Sequence, residues 1–192
     1  MLYLLTGDVQ IGKTRWLERL VHALEGDGVA CHGVIAPGDW VPSNGPHANE
    51  DGYEKRGIWN VMLPEGERIR FAWRRDLDPQ ADAPNARESD AAKLGWRISD
   101  AALAQVNAHF ARIGERCTTA PQHERALLVV DELGRLELLH QGGLTEAVRL
   151  LEHGPCGCLQ NALVVARDTL APLVEERFAA RWGGCERLEP KA

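Results

Sequence analysis

Residues 7 to 14 read GDVQIGKT, which places two glycines, a lysine and a threonine at the spacing GxxxxGK[ST]. The chemistry open to that spacing is phosphate binding. Gly7 and Gly12 let the backbone turn so that successive N–H groups converge on an anion, and a following helix adds the positive end of its dipole. Lys13 can then reach the β- and γ-phosphates of a nucleotide, and the Thr14 hydroxyl can ligate Mg2+. With this composition a chance match is expected roughly 10⁻⁵ times per window, or about 0.002 times along the chain. Lysine is scarce as well: Lys13, Lys55, Lys93 and Lys191 are the only four among 22 basic residues.

A phosphate site of this kind needs an acid at the end of a buried strand. The run ALLVVDE, residues 126 to 132, supplies two. Asp131 is placed to hold Mg2+ directly or through water, and Glu132 to orient or deprotonate an attacking water. Arg56 and Arg167 are candidates to stabilise charge developing on a γ-phosphoryl group; with 18 arginines in the chain, pairing with a surface carboxylate is the competing use of each. Glu137 has two readings, positioning water or ordering Arg135, and an exposed ion pair. Trp40, Trp59 and Trp73 suit packing first and stacking on a base second. His153, Cys156 and Cys158 lack the usual two-to-four-residue metal spacer between the thiols, so inert cysteines near a helix end are the default. His140 reads as a solvated helix or loop residue.

Strands and helices alternate in the order needed to position these residues. An apolar run at Leu2 to Thr6 leads into the glycine-containing loop, and Trp16, Leu17, Leu20, Val21 and Leu24 then recur at helical spacing. CHGVI at 31 to 35 predicts a second strand, closed by Pro37. Residues 38 to 80 are rich in Gly, Pro and aromatics and predict a β-hairpin insertion, with strand-like pieces at 57 to 63 and 68 to 73. Residues 76 to 90 are a polar connection expected to be mobile. Ser99 caps a predicted helix carrying Leu103, Val106, Phe110 and Ile113. Ala126 to Val130 reads as a buried parallel strand, Leu144 to Leu151 as a helix ended by Gly154 and Pro155, and Leu163 to Ala166 as a strand. Asp168 is expected to cap a helix running to about Phe178, before a last strand at Cys185 to Leu188. The fold class is therefore α/β: one domain over 1 to 192, its sheet mainly parallel and sandwiched by helices, with ligands expected at the carboxyl ends of the strands.

Taken in order, GDVQIGKT, GVIAPG (33 to 38), GYEKRGI (52 to 58), VVDELGRLEL (129 to 138) and VVARD (164 to 168) resemble the small P-loop nucleoside-triphosphatases first described from thermophiles. That family includes the cancer-related nucleoside-triphosphatase. The resemblance covers most of the chain, and DELGRLEL, similar to the family's DEIGxMEL, is its most specific part. It implies a RecA-like sandwich with an additional strand in the sheet, and Mg2+-dependent hydrolysis of ATP, GTP and other nucleoside triphosphates. Carried onto this sequence, Gly7, Asp8, Val9, Gln10, Ile11, Gly12, Lys13 and Thr14 form the Walker A loop, followed by Arg15 where the family has a second Thr. Asp131 and Glu132 are the Walker B acids, with Gly134, Arg135 and Glu137 just beyond.

Composition sets bounds on partners. Twenty-eight acids against 22 bases give a net charge of −6, which argues against nonspecific nucleic-acid binding. The N-terminus lacks the basic region of a signal peptide and no stretch approaches the ~18 apolar residues of a membrane span, so a cytoplasmic protein without membrane contact is expected. Five cysteines without a CxxC pair fit free thiols. Two further functions suit the same motifs: a P-loop nucleotide or small-metabolite kinase, and a slow nucleotide-dependent switch acting on a protein partner.

Overall fold

A computed structural model describes residues 1–7, 11–77, 95–119 and 125–190. Asp8, Val9 and Gln10 of the phosphate loop, and most of the polar connection expected at 76 to 90, lie outside them.

In chain order the elements are β1 (Leu2–Leu5), α1 (Lys13–Gly26), β2 (Ala30–Ile35), β3 (Gly38–Pro42), β4 (Tyr53–Leu63), β5 (Glu67–Arg74) and β6 (Trp96–Ile98). There follow α2 (Asp100–Thr119), β7 (Ala126–Leu133), α3 (Arg135–Leu139), α4 (Thr145–His153), β8 (Leu159–Ala166), α5 (Ala171–Phe178) and β9 (Cys185–Leu188). The strands form one nine-stranded sheet in the order β6-β5-β4-β2-β7-β8-β1-β9, with β3 paired to β4. The five strands from β2 to β9 run parallel, and β4, β5 and β6 extend the β2 edge antiparallel. The chain is thus α/β with a mixed, mostly parallel sheet.

Both faces of the parallel strands are covered, which is why their sequences are continuous apolar runs rather than alternating ones. On one face Leu17 and Val21 of α1 pack on Leu5, Ile35, Leu127, Val129 and Val165. On the other, Leu103, Val106, Phe110 and Ile113 of α2 join Val148 and Leu151 of α4 and Val174 and Phe178 of α5 over Leu4, Val34, Leu128 and Val164. The i, i+3, i+4 spacing of the α2 residues puts all four on that one stripe. Ser99 starts α2 as expected from its type: its hydroxyl oxygen accepts the Ala102 N–H at 3.2 Å.

Several elements differ from their sequence expectations. The chain does not stop pairing at Pro37; β3 begins one residue later and forms a hairpin with β4, which starts at Tyr53 rather than at 57. β7 continues past Val130 through both acids to Leu133. Asp168 does not cap α5: it opens a separate 3₁₀ turn, Asp168–Leu170, and α5 starts after Leu170 with Pro172 in its first turn, where a missing N–H costs nothing.

No helix among the described residues is long and apolar enough to cross a membrane.

Candidate functional site

The carboxyl ends of β1, β2, β7 and β8 meet the start of α1. Gly12, with φ 92°, takes the left-handed conformation that turns the chain into α1, and Gly7, with φ 137°, is similarly restricted. A Cβ on Gly7 would run into the Ile11 side chain. No side chain caps α1 and no acid stands in its first turn, so the positive end of the helix dipole is uncompensated from within the helix. Lys13 is buried, and its Nζ donates to the Gly7 carbonyl at 2.7 Å.

Two strands away in the sheet, Asp131 occupies the end of β7 with 2% of its surface exposed. Its Oδ2 accepts the Ala36 N–H at 2.9 Å, and Thr14 acts on the same carboxylate in favour of its charged form. The loop after β2 and the first turn of α1 therefore converge on one acid. Burial holds its carboxyl up at about 6, helped by the nearby Glu132 charge and opposed by the Ala36 N–H, Thr14 and Lys55. Glu132, next along the strand, is partly exposed and pairs with Arg167 Nε at 3.4 Å from the end of β8.

The cation that the insertion brings to these acids is Lys55. Glu132 and Asp131 both act on its ammonium, with Arg167 as a repulsive neighbour, and burial pulls it below the ordinary lysine range. Its Nζ lies 5.3 Å from the Trp96 ring centre. The strand geometry explains the placement: β4 pairs with β2 through Val61, Met62 and Leu63, then runs on past the carboxyl end of β2, where Trp59 N–H donates to Pro37 O. The first half of β4 thus overhangs the site. Arg56, one residue on, is the position that the pairing with β3 skips, where Asp39 and Trp40 oppose Gly57 and Lys55. It is exposed and acts on Glu54, which is paired with Arg74.

The remaining candidates sort cleanly. Ile11 and Arg15 are exposed. Glu137, read above as water-positioning or surface-paired, is instead buried; its Oε2 accepts the Gly134 N–H at 2.8 Å and its Oε1 the Leu144 N–H at 3.1 Å, pinning α3 to the start of α4. Arg135 is exposed. His140 and His153 are exposed. Among the described residues no group of three or more His, Cys, Asp or Glu is arranged to hold a metal. Cys156 and Cys158 turn to Cys117 at the end of α2, and the thiols interact with one another.

Lys55 is the site residue that sequence reasoning missed. The signal was present in the scarcity of lysine, but the direction of the side chain follows from the irregular pairing of β4 with β3, which passes over Arg56. Comparison with protein-family descriptions, with curated proteins and with solved structures found no match.

Proposed function

We propose that this chain is a P-loop nucleoside-triphosphatase with a RecA-like strand order, hydrolysing nucleoside triphosphates such as ATP and GTP to the diphosphate and phosphate with Mg2+. The observation that carries this reading is the convergence on Asp131: buried at the end of β7, it accepts the Ala36 N–H at 2.9 Å, and Thr14 at the start of the phosphate-loop helix acts on the same carboxylate. The insertion of β8 between β1 and β7 agrees with the additional strand that the family resemblance implies.

The residues present fit Mg2+. That ion keeps several waters and takes one or two protein oxygens beside substrate phosphates, and Thr14 and Asp131 offer a hydroxyl and a buried carboxylate near one another. When bound, Mg2+ supplies a Lewis acid that neutralises charge on the β- and γ-phosphates. The chain's own residues do the rest. The start of α1 and Lys13 bind the β,γ-phosphates. Glu132 accepts a proton from the attacking water, and Arg167 holds the Glu132 carboxylate in place. Lys55 meets the charge that develops on the γ-phosphoryl oxygens.

A phosphate-release screen over the common ribo- and deoxyribonucleoside triphosphates tests the reading, with Lys13→Ala as the blank. Release that requires Mg2+ and disappears in Lys13→Ala is the expected outcome. Release that survives the substitution, or a phosphorylated acceptor in place of free phosphate, overturns it.

The surroundings of Lys55, near Glu132 and Asp131, and of Arg56, exposed and near Glu54, separate their roles. Lys55→Met should lower kcat/KM about a hundredfold, the scale for removing one donor to transition-state charge, with Lys55→Arg recovering part of it. Arg56→Met should stay within about twofold of the parent, as surface substitutions do. Steady-state kinetics that rank the two variants equally would remove Lys55 from the mechanism.

A further inference from the structure

Asp131 and Glu132 stand where the sheet loses its register. β7 pairs with β8 up to Val130↔Val164 and again at Leu133↔Ala166, three steps along one strand against two along the other. That is a bulge, and a bulge frees the direction of its side chains from the ladder. Asp131 is turned onto a fixed partner, the Ala36 N–H at 2.9 Å. Glu132 has a looser one, Arg167, whose Nε stands 3.4 Å away on a side chain that is 55% exposed. The direction of Glu132 therefore depends on how the backbone is held on both sides of the bulge.

On the near side it is held by the ladder at Val130. On the far side it is held by Glu137. The buried Glu137 carboxylate accepts the Gly134 N–H at 2.8 Å on Oε2 and the Leu144 N–H at 3.1 Å on Oε1. Gly134 is the first residue to leave β7, directly after Leu133. The brace reaches three helices. Asn107 of α2 donates to the Gly143 carbonyl at 2.9 Å and accepts the Glu146 N–H at 3.0 Å, which fixes the start of α4. Arg177 of α5 donates to the Glu137 carbonyl at 3.3 Å while it pairs with Glu152 of α4 at 2.6 Å.

The arrangement asks for a carboxylate. Two N–H groups approach it from different elements, so two acceptor oxygens are needed, and an amide offers one. Gly143, with φ 68°, carries the chain past so closely that a Cβ would fall 1.9 Å from Oε1. Burial pushes the Glu137 carboxyl up, against the pull of the Gly134 and Leu144 N–H groups, and the nearby Glu132 charge adds to the rise. An acid is thus kept at this position although its charge is costly there.

We propose that Glu137 is a positioning residue for the hydrolytic step: by holding the Gly134 N–H it fixes the far end of the bulge, and with it the direction of Glu132 toward the attacking water. Its oxygens are engaged by the two N–H groups, so it acts through the backbone and not on water directly. This role rests on the nucleoside-triphosphatase reading and assigns Glu137 a task within it.

The test is a kinetic cycle on the full chain with Mg2+ and ATP or GTP: the parent, Glu132→Gln, Glu137→Gln and the double variant. Gly143→Ala is an independent disturbance of the same contact. Glu137→Gln should lower kcat about 10- to 100-fold, up to the cost of an ångström of misplacement. KM should stay within about twofold, because Lys13 and the start of α1 still bind the phosphates. Gly143→Ala, which leaves every acid in place and displaces the carboxylate, should show the same split. In the Glu132→Gln background the Glu137 substitution should change single-turnover release by less than about twofold, since the group that it aims is already lost. Melting curves with and without nucleotide report whether each variant folds, and if Glu137→Gln does not, Gly143→Ala takes its place in the cycle. The role is overturned by parent-like kcat in a folded variant, by a change confined to KM, or by equal losses in both backgrounds, as a contribution to stability alone would give. Absence of Mg2+-dependent release in the parent is a separate failure, seen before any variant is made: it removes the hydrolase reading and this role with it.

Discussion

Glu132→Gln should leave nucleotide affinity within a few-fold of the parent and lower turnover by about 10²- to 10⁴-fold, the usual range for loss of a general base. The substitution is nearly isosteric. Arg167 Nε stands 3.4 Å from the carboxylate as an ion-pair partner, and an amide oxygen occupies the same position, so the local geometry is kept while the capacity to take a proton is lost. Removing one negative charge beside Asp131 and Lys55 does not weaken binding of an anionic substrate and slightly favours it. Retained affinity with lost chemistry gives a long-lived complex, which stabilises the fold by RT ln(1 + [L]/Kd) and raises its melting temperature in proportion to ligand. Single-turnover phosphate release and a nucleotide-dependent melting shift, measured together, separate binding from chemistry. A drop in turnover of less than tenfold would mean that Glu132 does not activate water. Loss of the melting shift would mean that it belongs to the binding surface instead.

The parts of this site that could be read from sequence are those in which local pattern and global fold agree. The glycines and Lys13 are set by a loop whose backbone geometry is itself the function, and the acids follow an apolar run that is buried on both faces. Both are local statements. Lys55 is not, because its direction depends on where β4 crosses the end of β2 and on the irregularity between Asp39 and Trp40 in the pairing with β3. The sequence EKRG offers two adjacent cations, and arginine chemistry draws attention to Arg56, which is exposed and acts on Glu54. Glu137 misled in another way. Its identity in a charged, leucine-rich stretch suits a surface ion pair, but Gly134 and Leu144 present two N–H groups that only a buried acceptor reaching back from α3 satisfies. The short elements β6 and α3 were invisible because three and five residues hold too little periodicity to detect. The cysteines illustrate the same limit: Cys156 and Cys158 are one residue apart in sequence, while Cys117, their neighbour in space, is brought by a helix that starts elsewhere.

Asp131→Asn should do two opposite things: abolish Mg2+-dependent turnover and make the ligand-free protein more stable near neutral pH. The second effect follows from where the acid sits. A carboxyl with an ordinary value of 3.8 that rises to about 6 on folding binds more protons in the native state than in the unfolded one between those values. Stability from this group is therefore greatest below about pH 4, falls as pH rises through 6, and is flat above. The burial cost of the ionised form approaches about 3 kcal/mol at pH 7.5. Asparagine removes that cost and keeps an acceptor for the Ala36 N–H, so a gain of up to about 3 kcal/mol, or roughly 6 to 12 °C in melting temperature for a chain of this size, is expected at pH 7.5. The difference between variant and parent isolates Asp131 from every other titrating group. It should vanish below about pH 4 and grow to its full size by about pH 7. Nucleotide with Mg2+ should raise the melting temperature of the parent far more than that of the variant, because the cation compensates a charge that asparagine no longer carries. A variant less stable than the parent at pH 7.5 would show that the Thr14, Ala36 and Lys55 contacts outweigh desolvation, and that the buried acid supports the fold instead of waiting on a cation.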